Sequence, residues 1–270
     1  MQTEVSTNTN LVVFNTEGIM RDMRELIPLY AKAGIRHLDL NFCEMLNPGS
    51  PLNEEEKSAE YIGKLMNLKE EYGLTFVQSH APYPARGMVM DERMKSMILK
   101  SMHYSEVLGV DHIVIHPEGK SIEGNVELFE ELLDRYDGSI TIALENMESK
   151  EEIYHSSELL EIISHFPGRM GICFDIGHAN VTHLDIPKEI EAYGENLIGT
   201  HIADNDGNGD QHLLPWMGNI DWKKAMDAFR KYYRGYINYE AMFYSRTKSI
   251  REENEVIELA IELHRRLISL

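Results

Sequence analysis

Cysteine is scarce in this chain. Cys43 and Cys173 are its only two in 270 residues, and their separation fits neither a disulfide framework nor a thiolate zinc site. Long hydrophobic runs are missing as well. Nothing approaches the roughly 18 consecutive apolar residues of a membrane span, and the opening MQTEVSTNTN lacks the basic and apolar regions of a signal peptide. These absences give the expectation of a cytoplasmic protein with no membrane partner. Basic residues are outnumbered, 26 Lys and Arg against 45 Asp and Glu, for a formal net charge of -19. A field of that sign repels polyanions unless a basic patch is locally concentrated. No such patch is visible, so no nucleic-acid partner is expected.

What is present is ordinary for a globular chain, with 43% hydrophobic and 26% charged residues. Short β-type runs alternate with amphipathic helical runs from end to end. Strands are expected at 3–7, 35–41, 74–79, 110–115, 140–144, 171–174, 198–202 and 236–239. Helices are expected at 20–32, from an Asn53 cap to about 72, at 92–108, 126–136, 156–165 and 187–194, from an Asp221 cap over 222–232, and at 251–267. Eight strand-helix units without a linker or low-complexity segment have the period of a parallel (β/α)8 TIM barrel, one domain over residues 1–270. A doubly wound open sheet competes, but it normally carries a Gly-rich phosphate turn after its first strand, and none is found.

Barrel enzymes place their chemistry at the C-terminal ends of the strands. Strand three runs into His80, strand four into His116, strand five into Glu145, strand six into Asp175, strand seven into His201 and strand eight into Glu240. Six successive strands thus finish on His, Asp or Glu, never on Lys or Arg. Glu145, Asp175, His201 and Glu240 can converge on one cation as three carboxylates and an imidazole, a set suited to Mn²⁺, Mg²⁺ or Co²⁺ and open to Zn²⁺. His80 and His116 can be further ligands or substrate contacts, and His178 can reach the same mouth. The loop after strand seven, HIADNDGNGDQHLLP at 201–215, crowds Asp204, Asp206, Asp210 and His212 into a Gly/Asn turn that needs no histidine on either side. A solvated acidic loop beside an incidental histidine is the bland alternative.

These motifs, together with SHAP at 79–82, IHP at 115–117, LENM at 144–147, FDIGHAN at 174–180 and YEAMF at 239–243, resemble the xylose isomerase-like TIM-barrel superfamily. That group holds sugar phosphate isomerases and epimerases and endonuclease IV-like proteins. The resemblance implies that Glu145, Asp175, His201 and Glu240 bind one divalent metal, with the two glutamates exchanging protons with substrate. The expected activity is a sugar or sugar-phosphate isomerisation or epimerisation through a metal-stabilised enediolate. In its endonuclease IV-like branch, His80, His116, Glu145, Asp175, His178, His201, Asp210, His212 and Glu240 would instead hold three zinc ions for cleavage of abasic DNA. A non-catalytic sugar-binding barrel is a third reading. The Gly-Glu-Gly common after the loop is Trp216, Met217, Gly218 here, which disfavours the DNA reading and offers Trp216 as a surface for a sugar face. Arg246 and Lys248, after strand eight, stand where barrels often bind phosphate. Analogy with the superfamily also suggests a homo-oligomer.

Overall fold

A computed structural model of the chain describes residues 1–14, 21–84, 88–242 and 253–270. Its strands are β1 (Ser6–Asn8), β2 (His37–Asn41), β3 (Thr75–His80), β4 (His112–Ile115), β5 (Thr141–Glu145), β6 (Met170–Asp175), β7 (Leu197–His201) and β8 (Asn238–Tyr239). They form one parallel sheet in the order β7-β6-β5-β4-β3-β2-β1-β8. The ends meet just past β7, where Ile202 N donates to Asn238 O at 2.8 Å and Glu240 N donates to Ile202 O at 3.2 Å. The fold is therefore a TIM barrel, and the open doubly wound sheet is excluded.

The outer ring comprises α1 (Met23–Lys32), α2 (Glu55–Tyr72), α3 (Glu92–Val107), α4 (Ile122–Arg135), α5 (Ser156–Ser164), α6 (Ile176–Val181), α7 (Ile186–Tyr193), α8 (Trp222–Tyr232) and α9 (Glu253–Ser269). No helix among the described residues is long and apolar enough to cross a membrane. Strand side chains alternate in direction. Leu38, Leu40, Ile113, Ile115, Ile142, Leu144, Ile172 and Phe174 turn outward into the main core, so the intervening residues turn inward. Part of the interior is a small apolar plug of Val114, Ala143 and Cys173. Another part is polar, with Asn8, Asp39, Gln78 and Asn238 all buried.

Several boundaries differ from the sequence expectation for local reasons. Asn53 does not cap α2. It closes a short 3-10 turn over Pro51–Asn53, and its amide donates to Met45 O at 2.9 Å and Asn47 O at 3.0 Å. Helix α2 then begins at Glu55 after Glu54, which makes no side-chain cap. Helix α4 begins four residues earlier than expected, capped by Ser121, whose Oγ accepts from Gly124 N. Asp221 caps α8 as expected, accepting from Lys224 N at 3.2 Å. Helix α6 was not foreseen, and it bears directly on the site. Its cap is the strand-end residue Asp175, whose Oδ1 accepts from His178 N at 2.8 Å.

Candidate metal centre

Strands β3, β5, β6 and β7 terminate on His80, Glu145, Asp175 and His201, while His116 and Glu240 immediately follow β4 and β8. The parallel strands bring these ends to one mouth of the barrel in a staggered register: Asp175 pairs with His201, while Glu145 pairs with Cys173 and His80 with Val114, each two residues short of the next strand's site residue. One ligand atom from each of Glu145, Asp175, His201 and Glu240 lies within 4.8 Å of all the others. His201 Nδ1 is the hub, 2.7 Å from Glu145 Oε1, 3.2 Å from Glu240 Oε2 and 3.9 Å from Asp175 Oδ2. Glu145 faces both ways. Its Oε2 lies 3.0 Å from His116 Nε2 and 3.3 Å from His80 Nε2, and those two nitrogens are 3.1 Å apart.

The outer loop adds a second group. His178 Nδ1 meets Asn146 O at 2.7 Å, leaving Nε2 3.9 Å from Asp210 Oδ2. His212 Nδ1 meets Glu240 O at 2.8 Å while its Nε2 contacts Asp210. Of the histidines and acids named, all except His201 and Asp175 line one cavity of about 600 Å³, with Tyr83, Cys43 and Met242 on its walls. Its lining also includes Glu118, Glu148 and Glu152, and among the described residues no lysine or arginine.

Three carboxylates packed out of water repel one another and lose hydration, which costs free energy unless a cation joins them. Burial, reinforced by Glu145, Asp210 and Glu240, pushes the Asp175 carboxyl up to about 7, against a smaller opposing pull from His178. Its Oδ2 is fully enclosed and has no hydrogen-bond partner. Burial would also raise Glu145, but His201 and His116 outweigh it and hold that carboxyl well below the usual range. Burial would lower His178, yet Asp175, Asp210 and Glu145 bring it up to about 10. His116, by contrast, is lowered by burial, against a smaller upward pull from Glu145. An unpartnered buried carboxylate oxygen amid three acids and an imidazole is the donor set a hard divalent cation satisfies, so these residues fit a metal.

Not every residue singled out in the sequence comes here. Asp204 is completely buried away from the cavity, where Oδ2 accepts from Trp222 Nε1 at 3.0 Å and Oδ1 from Asn205 N at 2.9 Å. Asp206 serves its turn, accepting from Asn208 N at 2.9 Å. Trp216 does not line the cavity. It packs near Trp222 with ring centroids 6.4 Å apart and lies under the Arg266 guanidinium at 4.1 Å, so the expectation of a sugar-facing surface fails at that position. Arg246 and Lys248 lie outside the described residues.

Sequence reasoning passed over Tyr83, which stacks on His116 at 4.3 Å between centroids. An aromatic residue three positions beyond a strand-end histidine was the available signal. It also passed over Asp39, 3.5 Å from His201 Nε2, whose signal was an acid set in antiphase to Leu38 and Leu40.

Comparison with known proteins agrees with the architecture. The chain is 26% identical over 233 residues to the uncharacterized protein MJ1311 of Methanocaldococcus jannaschii, covering 76% of each. Its fold superposes on a D-tagatose 3-epimerase-like protein with a TM-score of 0.71 at 21% identity, covering 98% of this chain and 97% of the other. It also superposes on the IolI protein with a bound zinc atom, with a TM-score of 0.73 at 17% identity and 98% coverage of both. A family model for the xylose isomerase-like TIM barrel matches residues 21–267. The chain belongs to the xylose isomerase-like TIM-barrel family.

Proposed function

We propose that this chain is a divalent-metal-dependent isomerase or epimerase of a small sugar or related polyol, working as one catalytic domain. The observation that carries the reading is the meeting of two glutamates from separate strands, Glu145 at the end of β5 and Glu240 after β8, both lining the cavity and both beside the buried Asp175 and His201. Asp175 and His201, with the two glutamates, would hold the ion. When bound there it would supply positive charge that acidifies a proton next to a substrate carbonyl.

Glu145 is suited to take that proton, because His201 and His116 keep it ionised. Glu240, reaching in from β8, would return a proton to the opposite face, giving epimerisation. Return by one carboxylate to the neighbouring carbon would give aldose-ketose isomerisation. His116, His178 and Asp210 would orient hydroxyls, and Tyr83 would close one wall over them. The epimerase names carried by structures of the same fold support this choice of chemistry.

A second reading draws on a specific feature. His80 and His116 converge with Glu145, and His178 and His212 flank Asp210, so two further ligand sets adjoin the first. They would suit a multinuclear hydrolytic centre of the endonuclease IV kind, although a net charge of -19 opposes a DNA footprint. Metal stoichiometry and deuterium exchange decide between the readings. About one ion per chain, with solvent deuterium entering a ketose or aldose, supports the sugar enzyme. About three zinc ions with cleavage of abasic DNA refutes it.

A further inference from the structure

Directly beneath the candidate ligands, the barrel interior holds a buried carboxylate that the proposed chemistry does not use. Asp39 turns inward from β2 and is fully enclosed. Burying an ionised carboxylate costs several kcal/mol unless it is well partnered. Here three side-chain amides donate to one oxygen, Oδ2: Asn8 from β1 at 3.0 Å, Gln78 from β3 at 3.1 Å and Asn238 from β8 at 2.9 Å. The amides are themselves fixed. Asn238 Oδ1 accepts from Ser6 Oγ at 2.7 Å, and Asn8 Oδ1 accepts from Asn10 N at 2.8 Å. The same Oδ2 lies 3.5 Å from His201 Nε2, on the side of the ring opposite the carboxylates that surround Nδ1.

A ring placed between two acidic partners can present either nitrogen to a cation, and only one choice is productive. We propose that Asp39 is a positioning residue for His201: it takes the Nε2–H side of the imidazole, so that Nδ1 is offered as a lone pair to a divalent ion shared with Glu145, Asp175 and Glu240. The three amides aim the carboxylate, and the carboxylate aims the ring. This role rests on the reading that those four residues hold a cation. Histidine ligands commonly donate their other ring N–H to such a partner, and loss of the partner weakens metal binding by about 10- to 100-fold.

The test is metal affinity without substrate. Mn²⁺ and Zn²⁺ binding to the purified chain and to Asp39→Asn, followed by chelator competition, should show a roughly 10- to 100-fold loss in the variant. In a His201→Ala background the same substitution should change affinity less than about twofold, because the ring it acts through is gone. Should Asp39→Asn fail to fold, the unaltered protein still decides. With its histidines ¹⁵N-labelled and zinc loaded, long-range ¹H–¹⁵N correlation should find His201 protonated on Nε2 and metal-bound through Nδ1. If the unaltered chain binds no divalent ion, the cation reading falls and the positioning role with it. If it binds tightly but Asp39→Asn binds equally well, or Nε2 carries the metal, the positioning role alone is overturned.

Discussion

Replacing Glu145 by glutamine keeps the side chain's shape and removes its charge at the point where the most contacts meet. The native carboxylate meets His201 Nδ1 on Oε1 at 2.7 Å, while its Oε2, which has no hydrogen-bond partner among the described residues, lies 3.0 Å from His116 Nε2 and 3.3 Å from His80 Nε2. Glutamine presents oxygen on one side and an N–H₂ on the other, so either His201 Nδ1 faces an amide N–H₂ or that N–H₂ enters the space of the unpartnered Oε2, where it finds no carboxylate acceptor. Leaving one buried donor unsatisfied costs about 1–3 kcal/mol, within the roughly 5–15 kcal/mol stability of a folded domain, so the variant should fold. Loss of a general base should slow proton transfer by about 10²- to 10⁴-fold, or about 3–5 kcal/mol of barrier. The assay is mass-spectrometric uptake of deuterium at the substrate carbon next to the carbonyl, at metal concentrations shown to saturate the variant. Exchange within about threefold of the unaltered protein, with the ion bound, would refute the role given to Glu145.

Other outcomes follow from the same geometry. His178 and His212 are held protonated up to about 10 and about 9 in the metal-free protein, carboxylate neighbours overcoming burial. Both values lie above the ordinary 6.5, so the stability they contribute is complete below that pH and lost as pH rises through 9 to 10. Calorimetry of metal-free protein should therefore show a melting temperature that falls from pH 7 to pH 10, with a shallower fall in His178→Gln; a flat profile would contradict the assignment. Metal addition should stabilise, since an ion at 100 times its Kd adds about 2.7 kcal/mol, worth roughly 5–11 °C in Tm for a chain of this size, and a chelator should reverse the gain. Asp204→Ala should cost about 3 kcal/mol in urea unfolding, because it strands the Trp222 indole N–H and nearby backbone donors, while metal affinity stays unchanged.

The barrel and the convergence at its mouth were legible because strands of alternating pattern end on chemically distinctive residues, and a closed parallel ring has to gather those ends. Glu145, Asp175, His201 and Glu240 are placed by strand position alone. The loop after β7 was harder. Asp204 and Asp210 are the same residue type six positions apart, and only the path of the backbone sends one to an indole and the other to His212. Trp216 is a related case: its ring lies under the Arg266 guanidinium and near Trp222, and a contact with a residue fifty positions on is not visible in local sequence. Asp39 lay in plain view in the second strand, but its partners Asn8, Gln78, His201 and Asn238 come from four other strands that no spacing rule connects. Helix starts drifted where a side chain was already committed elsewhere, as Asn53 is to Met45 and Asn47.

The account turns on whether side chains from β5, β6, β7 and β8 share one cation. The most direct measurement is anomalous diffraction from crystals grown with Mn²⁺. A single strong peak bonded to Glu145, Asp175, His201 Nδ1 and Glu240 is the predicted result; a cavity without a peak at full metal saturation, or manganese held by other residues, would contradict it.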